Sequence, residues 1–184
     1  MLRAIRIICF LLLSVAATTS APAQVIRHGD CIVESEFLPQ CAVETRDGQE
    51  YVLRRYLRLL HYSGTPSLAD AALPDAGWVY LNRRGRVVVR NVATMDNGAN
   101  SFHHGLVRVT LGGKWGLANA RGTLVVPLRY DGMLDYEPGV GWNACTGCHT
   151  VTGGEHSWFE GGERVVLNRI GQVLPPSKES GNKQ

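Results

Sequence analysis

Three segments of the chain align on one core, Asn-X-X-Gly, each with an apolar run before it and a β-branched run after it. They are Gly77 to Val89, Lys114 to Val126 and Glu163 to Val173, with turns at Asn82–Gly85, Asn119–Gly122 and Asn168–Gly171. Self-similarity of this kind constrains a fold more than composition does, because every copy must bury its apolar face against a neighbour of the same design. Each copy reads as a β-hairpin. Asn tolerates the left-handed region and bonds its own backbone, and Gly accepts positive φ without a Cβ clash. The match extends backwards, since Gly112-Gly113 precedes the second copy as Gly161-Gly162 precedes the third. A second shared element, an aromatic, two spacers, a glycine and an apolar run, links Phe102 to Val109 with Tyr136 to Trp142. The spacing from Asn119 to Asn168 exceeds that from Asn82 to Asn119, so the longer interval holds an insertion.

The second copy runs Lys114-Trp115-Gly116-Leu117-Ala118-Asn119-Ala120-Arg121-Gly122-Thr123-Leu124-Val125-Val126-Pro127, then Leu128-Arg129-Tyr130-Asp131. It resembles the pattern of the bacterial WG-repeat (WG beta-repeat) proteins: Lys-Trp-Gly, a turn with Gly, Val-Pro, then Tyr-Asp. The first copy keeps Trp78 but has Val79 in place of glycine; the third has Arg164 in place of tryptophan and stops short. The resemblance covers residues 76–175. It implies a stack of β-hairpins used as a binding or structural module, with no shared catalytic residues. The residues themselves predict a mainly β fold, an array of about three hairpin repeats in which each copy packs on the next. Asn82, Gly85, Gly116, Asn119, Gly122, Asn168 and Gly171 form the repeat core, with Trp78 and Trp115 filling equivalent packing positions.

Residues 24–75 show no copy of the motif. Cys31 and Cys41 flank a segment containing Pro39 and suit a disulfide-bridged hairpin. Residues 51–60 fit either a helix, with apolar positions at 53, 56, 57 and 60, or a strand; the helix is the favoured expectation. Residues 176–184 are polar and expected to be disordered. At the other end, Arg3 and Arg6, an apolar run from Ile7 to Leu13 and Ala21-Pro22-Ala23 make residues 1–23 a secretory signal peptide. Export to the periplasm or the cell exterior follows. Loss of that segment removes two arginines and no acid, leaving a nearly neutral chain with no electrostatic case for nucleic acid. No later run is long enough for a transmembrane helix.

The insertion contains Ala144-Cys145-Thr146-Gly147-Cys148-His149, a CXXCH motif. In an exported protein that spacing can carry covalent haem c, with Cys145 and Cys148 taking the vinyl groups and His149 the iron. Met95, Met133, His103, His104 and His156 are candidate distal ligands. A zinc knuckle from Cys145 and Cys148 with His149 or His156, its fourth ligand unassigned, is the metal alternative, and a thioredoxin-like dithiol the redox one. Turn-forming residues after His149 favour instead a plain Cys145–Cys148 disulfide, and no cofactor is expected. Asp131 and Asp135 read as solvated loop residues, not as a catalytic carboxylate pair. The expected function is that of a non-catalytic interaction module binding a protein or a cell-envelope component. The alternative is a periplasmic redox or electron-transfer protein built on the CXXCH.

Overall fold

The computed structural model describes residues 25–74, 76–95 and 98–175. The expected signal peptide and the expected disordered tail lie outside the described residues.

The fold is mainly β, in several sheets. The chain opens with β1 (Val25–Val33), β2 (Glu36–Thr45) and β3 (Glu50–Val52), followed by a 3-10 helix, Arg54–Leu59. Next come β4 (Ala69–Leu73), β5 (Gly77–Leu81) and β6 (Val87–Val92), the short pair β7 (Thr94–Met95) and β8 (Gly98–Ala99), and then β9 (Leu106–Leu111), β10 (Lys114–Asn119) and β11 (Leu124–Tyr130). The last part holds β12 (Gly132–Glu137), β13 (Gly141–Thr146), β14 (His149–Gly153), β15 (His156–Glu160) and β16 (Glu163–Leu167).

One nine-stranded sheet has the order β11-β10-β9-β6-β5-β4-β1-β2-β3, and a separate three-stranded sheet has the order β12-β13-β16. The large sheet has two narrow seams. β1 meets β4 at one residue pair, Ile32 opposite Ala72, and β6 meets β9 at one pair, Val92 opposite Val109. Between the seams lie three antiparallel meanders: β1-β2-β3, β4-β5-β6 and β9-β10-β11. The sheet passes through the change in sequence character near residue 75, because β4 and β5 pair along their length.

The core moves along the chain with the meanders. A first cluster joins Val33 and Val52 to Ala71, Val79 and Leu81; a second joins Tyr80, Val89 and Val92 to Val107, Val109 and Ala118; a third joins Leu117, Val126 and Tyr130 to Met133, Trp142 and Leu167. Trp78 packs half-buried on the second cluster and Trp115 half-buried on the third. The tryptophan at the centre of a cluster is Trp142, fully enclosed. Gly116 is needed for a close backbone approach: a Cβ there would overlap the Val126 carbonyl and stand 3.0 Å from that of Pro127. The approach belongs to a bulge, since β11 carries two extra residues between the pairs Trp115–Tyr130 and Leu117–Val126. β6 carries one extra residue at the matching place, which leaves room for Val79.

All three Asn-X-X-Gly turns close in the same way. The glycine N–H donates to the asparagine carbonyl at 2.8–2.9 Å in each. The asparagine Oδ1 accepts from two further backbone N–H groups, those of Arg84 and Arg86, Arg121 and Thr123, and Ile170 and Gln172. A fourth turn of this kind lies where the motif had not been read, at Thr45-Arg46-Asp47-Gly48: Gly48 N–H donates to the Thr45 carbonyl at 2.9 Å, and Thr45 N–H to that of Gln49 at 2.9 Å. Thr45 lacks the reach of Asn, and its hydroxyl instead donates to the Asp47 carboxylate.

Residues 51–60 differ from the helix expected of them. Tyr51 and Val52 belong to β3 and also bond across to the next turn, with Tyr51 bridging Arg86 and Val52 N–H donating to the Gly85 carbonyl at 2.8 Å. Pairing with a distant segment claims the start of the run, and one 3-10 segment completes it, resting Tyr56 and Leu57 on the first cluster.

Candidate functional site: the Cys145–Cys148 hairpin

The insertion is a hairpin that leaves the three-stranded sheet and returns to it. β13 pairs directly with β16, from Trp142 opposite Leu167 to Thr146 opposite Glu163, and β14–β15 is the excursion between them. Cys145 and Cys148 are joined by a disulfide at its neck, Cα–Cα 5.9 Å, and Cys31 and Cys41 are joined across β1–β2 with the same Cα separation.

Three further contacts fasten the neck. The Asp131 carboxylate accepts from Gly147 N–H at 2.8 Å with one oxygen and from the Lys114 ammonium with the other. Those bonds, Lys114 first and Gly147 second, hold its carboxyl below the ordinary aspartate value. Arg164 donates through Nη2 to the Phe159 carbonyl at 2.6 Å. Gly162 passes so close to the disulfide loop that a Cβ on it would overlap the Thr146 carbonyl.

Along the hairpin the side chains alternate between two faces. Phe159 turns inward, edge-on to Trp115 with ring centroids 6.1 Å apart. On the other face, Val151 stands opposite Trp158, with His149 opposite Glu160 on one side of them and His156 opposite Gly153 on the other. Trp158 is 47% exposed, and both histidines are exposed.

This arrangement corrects the haem and zinc alternatives. Haem c needs two free thiols, and here they are spent on each other within a strand-and-turn segment that offers no helical pocket. A zinc knuckle would need the same two thiols, which the disulfide takes; of the two candidate histidines, His149 lies at the neck and His156 at the tip, about 13 Å apart along the strands. Among the described residues, no group of three or more His, Cys, Asp or Glu is placed to hold a metal ion. Cys145 is 2% and Cys148 9% exposed, and among the described residues no helix N-terminus adjoins either.

Asp131 does lie in a bend, between β11 and β12, whereas Asp135 is on a strand and not in a solvated loop. Asp131 serves the neck, and Asp135, on β12, joins a polar cluster between the two larger sheets. Arg108 on β9 is almost fully buried there; its Nε donates to Asn100 Oδ1 at 3.1 Å and lies 3.6 Å from Asp135, and its Nη1 donates to the Met133 carbonyl at 2.8 Å. Burial pulls the Arg108 guanidinium below its ordinary pKa, and Asp135 opposes that shift. His103 is half-buried, stacked on Tyr136 and 3.7 Å from Asp135. Arg108 and Asn100 were not legible as site residues, because each sits alone among apolar or small neighbours in the chain. Beside this cluster a cavity of about 350 Å³ is lined by Ser63, Thr65, Pro66, Tyr80, Phe102 and neighbours, a surface of hydroxyls and aromatics without a charged group. The Tyr80 hydroxyl is committed to the Asn100 carbonyl at 2.9 Å.

Comparison of the chain with protein-family models, with curated proteins and with solved structures found no match.

Proposed function

We propose that the chain is an exported, non-catalytic binding module made of WG-like β units, and that it meets a protein or cell-envelope partner through the outward face of the β14–β15 hairpin. The observation that carries this is Trp158, 47% exposed opposite Val151 on a hairpin whose other face and neck are fastened down. A rigid platform presenting a large aromatic side chain has little conformational entropy left to lose on binding, and tryptophan is enriched among residues that dominate binding energy. Three observations support the unit reading: four turns with the same closure, the meanders between seams, and core clusters shared by neighbours. Export is supported by the character of residues 1–23 and by two disulfides, which persist in oxidising compartments.

The test is retention of envelope components on the immobilised mature protein, wild type against Trp158→Ala. Loss of a hot-spot tryptophan costs about 2 kcal/mol or more, so the variant should lose a bound partner about thirtyfold or more in affinity. A partner held equally by both proteins removes the hairpin from the interface. A Soret band in the purified protein that survives denaturation would overturn the module reading in favour of the cytochrome.

A further inference from the structure

The turns carry a second message in what their glycines touch. A Cβ on Gly85 would stand 2.6 Å from the Val52 carbonyl of the preceding meander, one on Gly122 would overlap the Val88 carbonyl, and one on Gly171 would stand 2.7 Å from Val126 Cγ2. Each turn is thus seated on the last strand of the meander before it, three or four residues past that meander's own glycine. The residues under the first and third turns are buried, Val52 and Val126 at 2% exposed each, and Val88 under the second is half-buried.

At the two ends of the series the pattern is left half made. Gly48 has the same positive φ as the others, +71°, yet a Cβ on it would meet nothing within 4 Å. Among the described residues, no strand lies under its turn. At the far end, Leu174 occupies the acceptor position after Gly171, and its N–H donates to the Val166 carbonyl at 2.8 Å, which holds the segment beside β16 as an acceptor strand should be held. Among the described residues no turn covers it: Leu174 is 38% exposed, Val173 48% and Ile170 54%.

We infer that the chain associates head to tail, the Thr45–Gly48 turn of one copy seating on residues 172–175 of the next. The two ends are the separated halves of a junction the molecule already makes three times within itself. The contact is heterologous, so it builds a ring if the rotation closes and an open filament if it does not. One turn on one short strand buries little area, which makes the association weak and dependent on concentration. The inference rests on treating the four turns as equivalent, the same reading that underlies the proposed module.

Sedimentation velocity of the mature protein from micromolar to near-millimolar concentration tests it. The wild type should rise in mass with concentration. Leu174→Asp and Val173→Asp, on the acceptor, and Gly48→Ala, on the turn, should each stay monomeric. An equimolar mixture of Leu174→Asp with Gly48→Ala retains one good turn and one good acceptor, so it should give dimers and nothing larger. A wild type that stays monomeric throughout, acceptor variants that assemble like wild type, or a mixture that stays monomeric overturns the inference. Failure of the unit reading itself shows elsewhere, in thermal melts. Gly85→Ala should lower Tm well beyond Gly48→Ala, because only the former forces a Cβ against the neighbouring strand; equal losses would remove the equivalence of the turns, whatever the masses.

Discussion

Single side chains at the turns do most of the local work of folding. Asn119 takes two backbone N–H groups on its Oδ1 that would otherwise be left to solvent, at 2.9 Å from Arg121 and 3.1 Å from Thr123. At a net contribution of about 1 kcal/mol per bond, Asn119→Ala should cost about 1–2 kcal/mol in urea unfolding, with the m-value unchanged. These positions were legible because the requirement is chemical and local: an amide that bonds its own backbone, followed by a residue free to take positive φ. Thr45 escaped notice because its turn divides the task between two side chains, the hydroxyl of Thr45 and the carboxylate of Asp47. A search for asparagine passes over it, whereas a search for any Asx- or ST-type turn ending in glycine would find it.

At the scale of the element, the disulfide hairpin shows how a motif is reinterpreted by its frame. That the CXXCH lies between the second and third Asn-X-X-Gly turns was readable in the chain, and turn residues after His149 spoke for β structure. That β13 and β16 pair past the excursion was not, nor was the role of Asp131, since both depend on residues far apart in the chain. Asp131 has a folded-state pKa below its unfolded one, so its contribution is intact above the ordinary aspartate value of 3.8 and is lost as pH falls through the lower folded value. Hydrogen exchange at Gly147 should therefore accelerate on acidification below about 3.8 relative to amides in the β9–β10 ladder, once corrected for intrinsic rates; Asp131→Asn should remove most of that difference. An unchanged ratio across that range would show that the carboxylate does not hold the neck.

At the scale of the whole molecule, the buried apolar side chains of the described residues fall into three clusters and not into one centre. The nine-stranded sheet and the three-stranded sheet are tied by one costly feature, the buried Arg108 with Asn100, Asp135 and the Met133 carbonyl. Removing a partner from a buried charge is expensive, so Asp135→Ala should destabilise by about 3 kcal/mol, more than the turn variant above, as read from denaturant midpoints. A replacement of both members, Arg108→Met with Asp135→Ala, should recover part of that loss, because no charge is then left stranded. Neither residue was legible as a partner of the other.

Turn positions and β character are settled by a few consecutive residues, so the chain alone was enough to read them. Which strand each turn sits on, how far apart the neck and tip histidines stand, and which acid meets the buried arginine depend on segments dozens of residues apart. Those contacts exist only once the loops between them have closed, and loop closure is a property of the folded chain that no local pattern encodes.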